Sequence, residues 1–272
     1  MESGEAESGE VESRAYAITV AYDGTRFAGW QIQPNGLSVQ QLLAEGISKV
    51  LGHGVVVQGS GRTDAGVHAE GQVAAFTTSA WGHPSDRLVR AINGHLPRDI
   101  SVLNCRRVVL GFDPIRQATG KRYRYTIRNS SVPDPLRYQY HWWIPRVLDV
   151  AGMVAGASKL IGTHDFKGFE TLGSPRKTSV RTVRKLEVRE VVRLGGRELW
   201  VEIEADGFLY NMVRNIAGAL VEIGKGRFSP AWLETLLEGR ERDSESQTAP
   251  ARGLCLMRVD YPESVFLEEA SS

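Results

Sequence analysis

Apolar and polar residues alternate along 16–22, which puts Tyr16, Ile18, Val20 and Tyr22 on one face of a predicted strand. Asp23-Gly24 then reads as a turn. From Ser38 the period lengthens. Leu42, Leu43, Ile47 and Val50 form a helical stripe over 38–50, Ser38 and Gln41 have capping-box spacing, and Gly52 and Gly54 end the element. Short strands are expected at 55–58 and 72–77. A helix over 85–93 turns Leu88, Val89 and Ile92 inward, and 100–109 returns as a strand.

Asp113-Pro114 and Thr119-Gly120 break this pattern, and a similar order begins again. KRYRYTIRN at 121–129 alternates strictly, and 149–161 reads as a helix. Strands at 181–192 and 198–205 flank Gly195-Gly196 as a hairpin. The apolar segment 211–223 is a helix, Ser229 caps another with Pro230 at its first position, and 256–261 closes as a strand. The class is α+β. The expected fold is two similar domains, 14–112 and 113–262, each an antiparallel sheet with helices on one face and a cleft between them. Residues 1–13 and 263–272 hold few large apolar side chains and are expected to be disordered tails.

Composition narrows the class. The 272 residues are 42% hydrophobic and 24% charged, which suits a globular protein, and no apolar run approaches the ~18 residues of a membrane span. The acidic start, without an apolar stretch, is unlike a leader peptide, so cytoplasmic residence is expected. Only Cys105 and Cys255 are present, far apart, which excludes a disulfide scaffold and a cysteine-bound zinc. The net charge of +1 hides an asymmetry. With the eight Glu of residues 1–13 and 262–272 set aside, 33 basic side chains face 24 acidic ones. A body about nine charges positive suits a polyanionic partner.

The densest chemistry lies in GSGRTDAGVHAEGQV, residues 59–73. Four glycines surround an Arg62-Thr63-Asp64 triplet. Two readings stand. Asp64 caps backbone N–H groups of a turn, or it is a poised carboxylate beside an arginine. Other chemistries fail. No Lys follows Gly66 as a P-loop needs. His68-Ala69-Glu70 begins a zinc-deaminase signature that the two cysteines cannot complete. Ser60 lacks a G-x-S-x-G elbow. Tyr123 and Tyr125 share one face of the 121–129 strand, opposite Arg122 and Arg124. They are either a core face with a solvated basic face behind it, or an aromatic platform for a base. Arg214 sits in an apolar helix and needs a carboxylate or phosphate partner. Trp30, Trp142 and Trp143 read as core or interface.

These segments resemble the tRNA pseudouridine synthase A family. The matches are YDGTRFAGWQ, SVQ, GSGRTDAGVHAEGQV, Leu96-Pro97, KRYRY, GTHDF, FLYNMVRNIAG and TAPARGL, in order from about residue 16 to 261. The resemblance implies isomerisation of uridine to pseudouridine at positions 38, 39 and 40 of the tRNA anticodon stem-loop. It implies no metal or cofactor, a homodimer, and tRNA as partner. It assigns Asp64 as the catalytic carboxylate, Arg62 to extruding the uridine, Tyr123 to stacking on the target base, and Arg214 to pairing with Asp64. The competing reading is a non-catalytic RNA-binding or chaperone protein on the same fold.

Overall fold

In the computed structural model, which describes residues 13–171, 178–238 and 247–268, the first alternating segment becomes β1 (Arg14–Tyr22). Tyr16, Ile18, Val20 and Tyr22 are all buried along it. α1 (Val39–Leu51) starts at Ser38, whose side chain accepts the Gln41 N–H at 3.3 Å, and ends at Gly52 with φ of 75°. The Gln41 side chain donates to Glu45 at 3.0 Å, so only half of the capping box is made. β2 (Gln58–Gly59), β3 (His68–Thr78), α2 (Ser85–Asn93) and β4 (Ile100–Val108) complete the first half. The second half runs β5 (Gly120–Asn129), β6 (Trp142–Ile144), α3 (Val150–Ser158), β7 (Gly162–Asp165), β8 (Val180–Arg193), β9 (Gly196–Ala205), α4 (Met212–Gly224), α5 (Trp232–Leu237) and β10 (Leu254–Asp260).

The two expected sheets meet edge to edge in one sheet of order β4-β1-β3-β10-β5-β9-β8-β7, with β2 on β3 and β6 on β5. β10 makes the joint. It runs antiparallel to β5 and parallel to β3, where the pairs are Cys255↔His68 and Leu256↔Ala69. Apolar side chains gather in two clusters. One holds Tyr16, Ile18, Leu43, Ile47, Phe76, Leu88 and Ile92; the other holds Tyr125, Ile127, Met153, Leu199, Ile216 and Leu220. Tyr123 packs against both. Val67, which precedes β3, belongs to the second cluster and so carries the Gly-rich segment into the opposite half.

Several expectations need correction. The strand expected at 55–58 contracts to two residues, and β3 starts four residues early, because its first residues pair with β10 and β1. α5 starts after Ala231, without a side-chain cap, so Ser229 and Pro230 lie in the preceding turn. The disordered tail expected from 263 does not begin there. Glu263–Val265 forms a 3-10 turn, Val265 is buried, and Phe266 bridges Val108 and lies under the Arg106 guanidinium at 3.7 Å. Residues 1–12 and 269–272 lie outside the described residues. Trp30 and Trp142 are buried, whereas Trp143 is partly exposed and donates Nε1–H to the Ser130 carbonyl.

The segment between β5 and α3 buries His141, and among the described residues neither of its ring nitrogens has a hydrogen-bond partner. Burial lowers its pKa. Asp134 and Glu198 pull it up, while Arg137 and Arg128 push it further down. An imidazole depressed in the folded state takes its proton first in the unfolded chain, so stability falls as pH drops below the unfolded value of about 6.5. Urea titrations from pH 7 to pH 5 should show a shallower loss of unfolding free energy in His141→Gln than in the parent. Equal slopes would place the acid sensitivity elsewhere.

Candidate active site

The Gly-rich segment is held from three sides. On its N-terminal side, Ser60 Oγ donates to Gln72 Oε1 at 2.5 Å, and Gln72 Nε2–H donates to the Gly61 carbonyl at 3.1 Å. Lys121 Nζ donates to the Ser60 carbonyl at 2.7 Å. On the second side, the 23–30 loop lies directly on its backbone. Trp30 N–H donates to the Thr63 carbonyl at 3.1 Å, and Gly24 N–H donates to His68 Nδ1 at 3.1 Å. That approach requires glycine at Gly29, with φ of 102°, where a Cβ would stand 2.5 Å from the Thr63 oxygen. From beneath, Tyr22 OH bonds Thr63 Oγ1 at 2.8 Å, both buried. Burial raises the Tyr22 phenol pKa, so this hydroxyl stays neutral.

Asp64 is thereby turned outward. Its backbone carbonyl accepts the Val67 N–H at 3.1 Å and closes the turn at Gly66, while its side chain leaves the loop. Asp64 Oδ2 meets Arg214 Nη1 at 3.1 Å, across 150 residues of chain. Arg214 comes from the first turn of α4. Its Nε–H donates to the Ala249 carbonyl at 2.8 Å, and Nη1 also donates to Asn211 Oδ1 at 2.9 Å. Both members of the pair keep some exposure, 17% for Arg214 and 28% for Asp64, so the carboxylate stays reachable from outside.

Tyr123 closes the same depression. Its ring meets Phe208 edge-on with centroids 5.1 Å apart. Burial raises its pKa, with Tyr22 and Asp64 adding to the rise, so the phenol is neutral. Asp64, Arg214, Tyr123, Phe208, Met212 and Leu254 surround a cavity of about 50 Å³, with exposed Arg62 at its rim.

The structure therefore brings Asp64, Arg214 and Tyr123 together and sets Arg62 at the edge. Arg122 and Arg124 point to the opposite face of β5, where they do not form a simple solvated surface. Arg124 donates twice to nearly buried Glu202, at 2.9 and 2.8 Å, and Arg122 reaches it at 2.9 Å. Burial pushes the Glu202 carboxyl up, and the two arginines more than offset it, leaving its pKa below the usual range. The larger cavity, about 320 Å³, lies on that face and is lined by none of Arg62, Asp64, Tyr123 and Arg214. Two of its charged side chains have partners: Arg137 pairs with Glu198, and Asp23 accepts from the Tyr140 hydroxyl. Among the described residues no three His, Cys, Asp or Glu side chains cluster as metal ligands, and no helix is long and apolar enough to cross a membrane. Sequence reasoning missed Thr63, Asn211 and the Ala249 carbonyl, which are joined to the site by contacts 35 to 41 residues apart or, for Asn211, by an unusual backbone. The TAPARGL motif was the only signal for Ala249.

The family model for tRNA pseudouridine synthase matches residues 18–113 and 157–262. A tRNA pseudouridine synthase A of Pelobacter propionicus is 43% identical over 248 residues, covering 91% of this chain and 100% of its own. The protein of that name from Myxococcus xanthus is 43% identical over 244 residues, covering 90% and 91%. One from Moorella thermoacetica is 43% identical over 246 residues, covering 90% and 98%.

Thr63→Val keeps the shape of this residue and removes its hydroxyl. Tyr22 then loses one buried partner. The expected cost is about 1 kcal/mol, seen as a lower urea midpoint at unchanged m-value. The same change in a Tyr22→Phe background should cost less, since the interaction is already gone. Equal costs in both backgrounds would show that the two hydroxyls are not coupled.

Proposed function

The chain belongs to the tRNA pseudouridine synthase family, and on that premise we propose that it isomerises uridine to pseudouridine in tRNA with Asp64 as the catalytic carboxylate. The observation that carries this reading is the Asp64–Arg214 pair, 3.1 Å apart at the floor of a cavity walled by Tyr123. A carboxylate held by a single guanidinium and still partly exposed can meet a substrate atom. A carboxylate consumed in capping a loop cannot.

The reaction breaks the N1–C1′ bond of uridine. The freed uracil turns, C5 bonds to C1′, the C5 proton leaves to water, and N1 takes one up. Atoms and electrons balance without an oxidant or reductant. Asp64 supplies the carboxylate, which attacks C1′ and is displaced when C5 bonds there, or takes the 2′ proton and returns it once C5 has bonded, or adds to C6 of the uracil and leaves as the product forms. Arg214 fixes its direction, which places the group before the chemistry begins. The base must first leave the helical stack, at a cost of a few kcal/mol. Stacking on Tyr123 returns ~1–3 kcal/mol of that. A base entering this cavity passes Arg62, which stands at its rim. The roles assigned to Arg62 and Tyr123, the homodimer and positions 38, 39 and 40 rest on the family resemblance. The lobes 14–112 and 113–262 form the two walls, with Asp64 on one and Arg214 on the other.

Mapping pseudouridine in unmodified tRNA after incubation with the protein tests the reading. The parent should modify the anticodon stem-loop at positions 38 to 40. Asp64→Asn should yield none while keeping its thermal midpoint and tRNA affinity, since Asn is nearly isosteric but no nucleophile. An active Asp64→Asn protein would overturn the assignment. A parent that binds tRNA and modifies nothing would favour the non-catalytic RNA-binding reading.

A further inference from the structure

Asn211 is the only non-glycine residue with positive φ among those described, at φ 60° and ψ 4°. It precedes α4, where a helix-capping Asn normally has extended backbone and bonds an N–H of the first turn. Asn211 does neither. Its backbone is left-handed and its side chain makes no cap bond. The left-handed region is unfavourable for a side-chain-bearing residue, and Asn tolerates it better than most. Residues held this way persist where their surroundings over-determine them.

The side-chain contacts show what does so here. Asn211 Nδ2–H donates to Thr171 Oγ1 at 3.1 Å, and Oδ1 accepts from Arg214 Nη1 at 2.9 Å. The orientation of the amide is forced, because a guanidinium only donates and must face the oxygen. That same Nη1 donates to Asp64 Oδ2. The guanidinium is therefore clamped by the Asn211 oxygen and the Ala249 carbonyl, which leaves its third contact aimed at Asp64. A normal cap conformation would withdraw the Asn211 side chain toward the helix.

We infer that Asn211 is a positioning residue for the isomerisation, which orients Asp64 through Arg214 and whose left-handed backbone serves that contact. The inference rests on the function proposed above. Asn211→Gly separates the two roles of the residue, since glycine adopts the backbone freely but lacks the oxygen. Asn211→Asp restores an acceptor. In Asn211→Gly, the single-turnover rate of pseudouridine formation should fall about 10- to 100-fold, the range of a lost hydrogen bond to a charged group. tRNA affinity should stay within about twofold, and the thermal midpoint should not drop. Asn211→Asp should recover part of the rate. A parental rate in Asn211→Gly, or a loss matched by weaker tRNA binding or a lower midpoint, would overturn the inference. A crystal structure of Asn211→Gly supplies a second readout, independent of turnover. Arg214 should move off Asp64, and an unmoved Arg214 would overturn the inference even if the proposed function stands.

Discussion

One ion pair joins the halves of this protein at the point where chemistry is possible. Asp64 is carried on a Gly-rich turn ahead of β3, and Arg214 on the first turn of α4. Both side chains keep contact with water, so what the pair contributes is the direction of the carboxylate more than stability. The pair therefore constrains everything around it. The turn must be rigid enough to present Asp64, α4 must start at the right height, and the two halves must keep a fixed distance. β10 enforces that distance by pairing with β3 on one side and β5 on the other, so the last strand of the chain sets the geometry of its centre.

The support is mostly uncharged. Hydroxyls, amides and main-chain carbonyls hold the turn: Tyr22 on Thr63, Gln72 between Ser60 and Gly61, and Trp30 N–H on the Thr63 carbonyl. Each such bond contributes only about 1 kcal/mol. Their value lies in direction, because a carboxylate displaced by a fraction of an ångström loses reactivity without losing stability. The charged pairs on the opposite face of β5 have a different character. Glu202, nearly buried between Arg122 and Arg124, satisfies the basic side of that strand and leaves its aromatic side to the core and the site. The strict alternation of KRYRY thus sorts two electrostatic environments across one strand.

Much of this was legible in the chain because it is local. The 2.0 and 3.6 periods locate β1, α1 and β5, the apolar run of 211–223 locates α4, and the spacing of Ser38 and Gln41 marks where α1 begins. The motifs GRTDAGVH and MVRN mark the two residues that meet. Features decided by distant partners were not legible. β6 and β7 have three and four residues, too short for a period, and exist because β5 and β8 offer them an edge. The early start of β3 depends on β10, almost 190 residues away. Glu263–Val265 reads as a polar tail until Val265 finds the core. The left-handed Asn211 follows from the position of Arg214, which no local pattern encodes.

In the proposed function the Asp64–Arg214 pair is the basis of catalysis and takes little part in holding tRNA. Single-turnover pseudouridine formation and tRNA affinity, measured together on Arg214→Ala, test that most directly. The rate should fall by orders of magnitude while affinity changes only a few fold. A variant that turns over normally, or that loses rate only in proportion to binding, would contradict it.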